Sequence, residues 1–396
     1  MFKILVIHNF HRKGSASGDD QVFKAETALL EQYGHKVIRY SVSNDDFDDI
    51  GISGKIRAAL GMFWSFKNYK EVKRIILQEK QDVVHVHTFF PLLSPSVLYA
   101  AHHCGVKVVA TLHDTRLICP CATSLCGTKL CNKCGDGHYM RMVWYKCFKG
   151  SRIQSFVVAC IFKFHRICKT YYKYIDKYIC LNDNQIELLK SVGFEESKLI
   201  KKYNFVPDSY RELREVTLFN LPERYIVYYG RMGVEKGVRV LMQIWNQISD
   251  IPLVVMGGGP LEQEFKEWAD KKDNVYFLGY TEHQKCLSIV EKSQCVITPS
   301  ICYEGCSMVV IETESLAKTL ITTDLGFSKE AIVNGENGFK IALGDIEGFS
   351  DIVRQLWNNP EQCEKMGRAA REDYLRKYQP EDNCKQLIAI YQSLLA

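Results

Sequence analysis

Short runs of β-branched and other apolar residues recur along the chain, each followed by a longer stretch with the spacing of an amphipathic helix. Residues 3–8 (KILVIH), 35–40 (HKVIRY), 82–87 (DVVHVH), 106–113 (VKVVATLH) and 177–181 (KYICL) form a first series. Residues 225–230 (YIVYYG), 252–259 (PLVVMGGG), 274–279 (NVYFLG), 295–300 (CVITPS) and 319–323 (TLITT) form a second. Near-continuous apolar strands alternating with helical segments predict parallel sheets covered on both faces. The expected fold class is α/β, with two doubly wound Rossmann-like domains at 1–203 and 204–379, joined across Asn204 to Leu221. In the last segment, 380–396, Leu387, Ile388, Ile390, Tyr391, Leu394 and Leu395 predict an amphipathic helix that packs back on the first domain.

Composition supports two ordinary cores: 396 residues exceed one compact unit, and 46% hydrophobic with 12% aromatic content excludes a disordered chain. The net charge of +5 hides a polarity. Up to Pro207 there are 30 cations and 18 acids, giving +12; beyond it 21 and 28 give −7. A basic half suits nucleic acid, anionic headgroups or a phosphorylated substrate, and no nucleic-acid-binding motif supports the first. The opening residues read as a buried strand and not as a signal peptide, and no apolar run approaches the roughly 18 residues that span a bilayer. The expected place is cytoplasmic, with peripheral contact to the inner face of the cell membrane. In that compartment the 16 cysteines read as reduced thiols or metal ligands.

Parallel sheets bind ligands beyond the carboxyl ends of their strands, and the second half concentrates its chemistry there. After 225–229 comes Gly230-Arg231-Met232-Gly233-Val234-Glu235-Lys236-Gly237. Arginine forks onto phosphate and lysine supplies a mobile point charge, so Arg231 and Lys236 can hold a diphosphate and neutralise it as it leaves without a metal. After 295–298, Glu304 precedes Gly305, Cys306, Ser307, Met308 and Val309, where a helix opens, and Glu312 follows inside that helix. A helix N-terminus favours phosphate, and two carboxylates so placed reach different hydroxyls of one elongated ligand. Gly257-Gly258-Gly259, Gly279-Tyr280 and Asp324-Leu325-Gly326 are turns at the other strand ends.

On GRMGVEKG at 230–237, the seven residues between Glu304 and Glu312, and LGFSKEAIVNGENGF at 325–339, the chain resembles the GT-B glycosyltransferases, within them the retaining family 4 or group-1 glycosyltransferases, and among those the bacterial polysaccharide enzymes. The resemblance implies two domains facing a central cleft and transfer of a sugar from a nucleoside-diphosphate sugar to a hydroxyl, with retained configuration and no catalytic cofactor. The acceptor it implies is a glycan or lipid-linked oligosaccharide of surface polysaccharide synthesis. By it, Arg231 and Lys236 bind the diphosphate, Glu304 contacts the transferred sugar, Glu312 holds the ribose and the Gly279-Tyr280 region flanks the base. Gly257 and the Gly305 to Val309 stretch line the donor.

In the first half, Gly14 to Asp20 links a strand to a helix; the family carries paired glycines here and this chain Ser17-Gly18, so only Gly18 is carried over as a donor contact. His85 and His87 share one strand face, with no third zinc ligand evident, and packing or hydrogen bonding is the reading for His85. His113, in Thr111-Leu112-His113-Asp114, stands at a strand's ligand end and matches the family histidine at the reacting centre. A cysteine-rich insert near 119–147 offers Cys119, Cys131, Cys134 and Cys147 for a structural zinc, with plain reduced thiols as the equal alternative. Basic residues with aromatics at Lys55 to Lys70 and Arg152 to Lys177 suit an anionic membrane or two solvated amphipathic helices. The string Asp46-Phe47-Asp48 reads as a solvated loop. Two other function classes stand beside the transferase: a catalytically silent nucleotide-sugar binder, and a nicotinamide-dependent oxidoreductase, whose GxGxxG order is missing from Gly257-Gly258-Gly259.

Overall fold

The computed structural model describes residues 1–12, 17–47, 60–208 and 221–396. Gly14 to Ala16, Asp48, the start of the Lys55 to Lys70 stretch and most of the 204–221 connection lie outside the described residues. The chain divides into two compact units, one of Met1–Gly127, Cys131–Tyr203 and Glu381–Ala396, the other of Asn204–Pro380 with Thr128–Leu130.

The first unit is built on a parallel six-stranded sheet. Its strands are β1 (Lys3–Phe10), β2 (Lys36–Ser43), β3 (Val83–Thr88) and β4 (Lys107–Leu112), then, after the two-residue strands β5 (Leu125–Cys126) and β6 (Lys129–Leu130), β7 (Lys177–Cys180) and β8 (Leu199–Lys201). The order is β2-β1-β3-β4-β7-β8. Ile4 to Ile7 of β1 and Val83 to Val86 of β3 are fully buried, as a strand covered on both faces requires. Because β1 has β2 on one side and β3 on the other, the connections leave in opposite directions and open a crevice at their carboxyl ends.

The second unit repeats the plan with β9 (Ile226–Tyr229), β10 (Leu253–Met256), β11 (Val275–Gly279), β12 (Cys295–Thr298), β13 (Thr319–Thr323) and β14 (Gly338–Ile341), ordered β11-β10-β9-β12-β13-β14 and parallel throughout. Its crevice lies where β9 meets β12. The helix Pro360–Lys377 packs on the helix Met308–Ser315 and on β13. At Gly367 a Cβ would stand 2.0 Å from the Ala317 carbonyl, so that contact needs a residue without a side chain. The terminal helix Pro380–Leu395 belongs to the first unit, where Leu387 and Tyr391 are buried and Asn383 donates to the Tyr203 carbonyl at 2.7 Å.

Candidate functional site

In the second unit the loops after β9 and β12 lock together. Gly237 sits at φ +69°, and a Cβ there would come within 1.7 Å of the Pro299 carbonyl oxygen. Glycine is therefore obligatory on two counts, backbone hand and space. The Ile301 amide donates to the Glu235 carbonyl at 2.9 Å, and the Met232 amide to the Gly258 carbonyl at 2.9 Å. A Cβ on Gly257 would lie 1.8 Å from the Gly230 oxygen. The glycine triplet thus seats one loop on another and does not shape a dinucleotide cradle.

On this platform Lys236 Nζ lies 3.0 Å from Glu304 Oε2, and Ser300 Oγ donates to Glu304 Oε1 at 2.5 Å. Burial opposes the charge on Glu304, but Lys236 and the Ser300 hydroxyl outweigh it and hold the carboxyl below the usual glutamate range. Burial likewise opposes the charge on Lys236, and Glu304 returns it above its ordinary value. Arg231 is exposed and its Nη1 lies 3.4 Å from Glu235 Oε1. Gly326, at φ +56°, packs against the Glu304 backbone, whose oxygen accepts from the Phe327 amide at 3.2 Å.

Ser307 stands at the N-cap position of the helix Met308–Ser315 without a side-chain capping bond, with Met308 and Val309 in the first turn and Gly305 and Cys306 in the approach. Glu312 is almost wholly buried there, and its Oε1 lies 2.8 Å from Nε2 of His283. That hydrogen bond raises the affinity of His283 for a proton, against burial. His283 escaped the sequence reading. The available signal was its place at the start of the helix His283–Lys292, just beyond the carboxyl end of β11. At the same strand end Gly279 takes φ +65°, its carbonyl accepts from the Gly257 amide at 2.8 Å, and Tyr280 is exposed.

In the first unit a buried polar chain runs to His113. Glu26, from the helix Gly18–Gln32, is 2% exposed; its Oε2 meets Lys202 Nζ at 3.3 Å and its Oε1 meets His87 Nε2 at 3.1 Å. His87 Nδ1 then faces His113 Nε2 at 3.0 Å. Desolvation works against a charge on Glu26, but Lys202, His85 and His87 hold the carboxyl well below its ordinary range. A carboxylate only accepts, so the His87 proton sits on Nε2. In that single-proton form Nδ1 accepts from His113 Nε2–H, and His113 Nδ1 is left as an acceptor. Burial and the neighbouring His87 push the His113 pKa down to about 3, so it is neutral at pH 7.

The expectation that His85 and His87 lack a third partner meets a different arrangement. Glu26, far away in sequence, brings a carboxylate within 4.8 Å of both rings, and the Lys202 ammonium supplies the positive charge there. His85 is bonded to Thr111 Oγ1 at 2.8 Å and to the Tyr391 hydroxyl at 2.7 Å, in keeping with its hydrogen-bonding reading. Gly18 opens its helix behind the cap Ser17 and is followed by Asp19, 3.1 Å from His11 Nε2, and Asp20, 2.7 Å from His8 Nε2. Asp114 is engaged locally by the Arg116 amide and guanidinium.

All sixteen cysteines are free thiols. Cys121, left out of the sequence-based zinc set, is hydrogen-bonded to both Cys119 and Cys147, which keeps those two thiols down at about 7 and raises its own pKa. Burial, then the surrounding Cys119, Cys147 and Cys131, push Cys134 up to about 12.

Residues 26–210 match the Glycosyltransferase Family 4 family and residues 209–373 the Glycosyl transferases group 1 family. The chain belongs to the group-1 glycosyltransferases. It is 26% identical over 328 residues to EpsD of Bacillus subtilis, a protein assigned to the glycosyltransferases, covering 78% of this chain and 76% of that one. It is 25% identical over 222 residues to the capsular polysaccharide biosynthesis glycosyltransferase CapM of Staphylococcus aureus, covering 54% of this chain and little more than half, 57%, of CapM. The Anabaena protein HepE, solved with UDP-glucose, superposes with a TM-score of 0.67 at 14% identity over 99% of this chain and 100% of its own. That likeness carries the fold, which is GT-B. The protein is accordingly a glycosyltransferase.

Proposed function

We propose that the chain transfers a hexosyl-type sugar from a nucleoside-diphosphate sugar to a hydroxyl of a glycan or lipid-linked acceptor in surface polysaccharide synthesis, with retention of configuration and without a catalytic metal. The observation that carries the proposal is the Lys236–Glu304 pair, 3.0 Å apart at the switch between β9 and β12. A cation held by a carboxylate is ready to exchange that partner for a diphosphate. In this reading Arg231 and Lys236 take up the charge that develops on the leaving diphosphate, and Glu304, released from Lys236, accepts from sugar hydroxyls. Glu312, oriented by His283, accepts from the ribose. His113 offers Nδ1 as an acceptor to a sugar hydroxyl. The acceptor attacks the same face that the diphosphate leaves, and a diphosphate oxygen takes the proton, so no protein base is needed. Similarity to the capsular polysaccharide biosynthesis glycosyltransferase CapM supports the acceptor class.

The test is turnover of Arg231→Ala and Lys236→Ala alongside a thermal-shift screen of nucleoside diphosphates and their sugars. Removing a donor aimed at developing charge costs roughly 10²–10³ in rate. Near-normal turnover of both variants, or no shift with any nucleoside diphosphate, overturns the assignment.

A further inference from the structure

We infer that residues 140–173 of the first unit form a docking face for an anionic lipid bilayer. Helix Arg152–Ile167 is apolar on two sides. Its inner stripe, Val158, Ala159, Ile161 and Phe162, lies in the core. Its outer stripe is Ile153, Phe156, Cys160, Lys163, Phe164 and Ile167, which at 3.6 residues per turn fall within an arc of about 100°. Four of these are large apolar side chains left in water, with Ile153 79% and Ile167 70% exposed. A soluble helix puts polar residues on that side. The short helix Met140–Trp144, packed against it, adds exposed Met140 and Trp144, the latter at 77%, and Tyr145 follows.

Cations surround this surface. Between Lys133 and Lys173 there are nine Lys and Arg against one acid, Asp136. Asp136 is taken by Arg141 at 2.7 Å, and Arg166 turns inward to the Gly135 carbonyl. Lys146, Lys149, Arg152, Lys163, Lys169 and Lys173 remain exposed around the apolar stripe. Lys133, Arg141, Trp144 and Tyr145 line an open hollow of about 510 Å³, with the Lys133 ammonium for a phosphate and two rings for the headgroup level. Charge decides the occupant. A second copy would bring two cationic faces together, whereas an anionic bilayer satisfies the cations and accepts the apolar side chains. Among the described residues no helix is long and apolar enough to cross a membrane, so the contact is with the surface.

The test is co-sedimentation of the full chain with vesicles of phosphatidylcholine alone and of phosphatidylcholine with an equal part of phosphatidylglycerol. The expected result is binding to the second only, lost at high salt. Neutralising Lys146, Lys149 or Lys163 with alanine should each lower partitioning about fivefold. The variant Phe156→Glu/Phe164→Glu/Ile167→Glu should abolish it, and Leu343→Glu, exposed on the other unit, should not change it. These positions are exposed, so circular dichroism should be native; if the triple variant misfolds, the three lysine variants carry the test alone. Equal binding to both vesicles, or lysine variants that bind like wild type, overturns the inference. So does a concentration-dependent dimer abolished by the triple variant. Donor thermal shifts should be the same in every variant, which separates this face from the proposed transfer site.

Discussion

Glu314 lies in the same helix as Glu312 and has the opposite fate. It is 1% exposed and neither carboxyl oxygen has a hydrogen-bond partner. Burial first, then Asp373, raise its pKa well above the ordinary glutamate value, so in the folded state it keeps its proton to higher pH than in the unfolded chain. Unfolding releases that proton. Stability should therefore fall as pH rises from the unfolded glutamate range towards the raised native value. Glu314→Gln should remove this slope and be more stable than wild type near pH 8, with the gap closing towards pH 4. Urea titrations across that range measure it. Glu26 is the contrary case, ionised and paired. Glu26→Gln leaves Lys202 buried without its carboxylate and should cost about 3–5 kcal/mol. Glu26→Gln/Lys202→Met should recover most of the loss; if the double variant is the less stable, the pair is not coupled. In ¹⁵N spectra of labelled histidine, His113 should carry its proton on Nε2, and Glu26→Gln should disturb that tautomer. Glu26 and Lys202 were illegible as a pair in the sequence because 176 positions separate them. Lys236 and Glu304 could be found, since each follows a strand bordering the crevice.

At the scale of elements, the two series of apolar runs gave the principal strands of both sheets, and the parallel order followed from their alternation with helices. β8 and β14 were missed. They are edge strands only half covered, without the continuous buried apolar run that marks the inner strands. The interlocking of strand-end loops was invisible too, because a glycine that touches a distant carbonyl looks like one that merely turns. Gly237→Ala should separate the 230–237 and 299–307 loops, with a stability loss of about 2–3 kcal/mol. Nucleoside-diphosphate affinity should fall with it. A variant that melts like wild type would mean the loops part without consequence. In the cysteine-rich stretch Cys121 is bonded to Cys119 and Cys147, but among the described residues no three cysteine sulfurs lie within 4.8 Å of one another, so the structure does not gather Cys119, Cys131, Cys134 and Cys147 into one ligand set. Elemental analysis of protein purified without added metal should therefore find plain thiols. Zinc stoichiometric with the chain and lost in Cys119→Ser/Cys147→Ser would overturn that reading.

At the scale of the molecule, the charge asymmetry read from the sequence sits in the first unit, and the structure concentrates much of it on the 140–173 face. The terminal helix is the other whole-chain feature. Its Tyr391 hydroxyl meets buried His85, whose second nitrogen meets Thr111 of β4. Tyr391→Phe should cost about 1–2 kcal/mol, the price of an unpaired buried acceptor, and thermal unfolding would show it.

That helix also sets an order of events during synthesis. The strands of the first unit are complete once Lys201 has left the ribosome, but the segment that covers His85 is made only after the second unit. At about 5–20 residues per second, this leaves the first unit unfinished for about 10–40 seconds. For that interval the nascent chain holds a buried-charge cluster with one wall missing, which is when a chaperone would have something to bind.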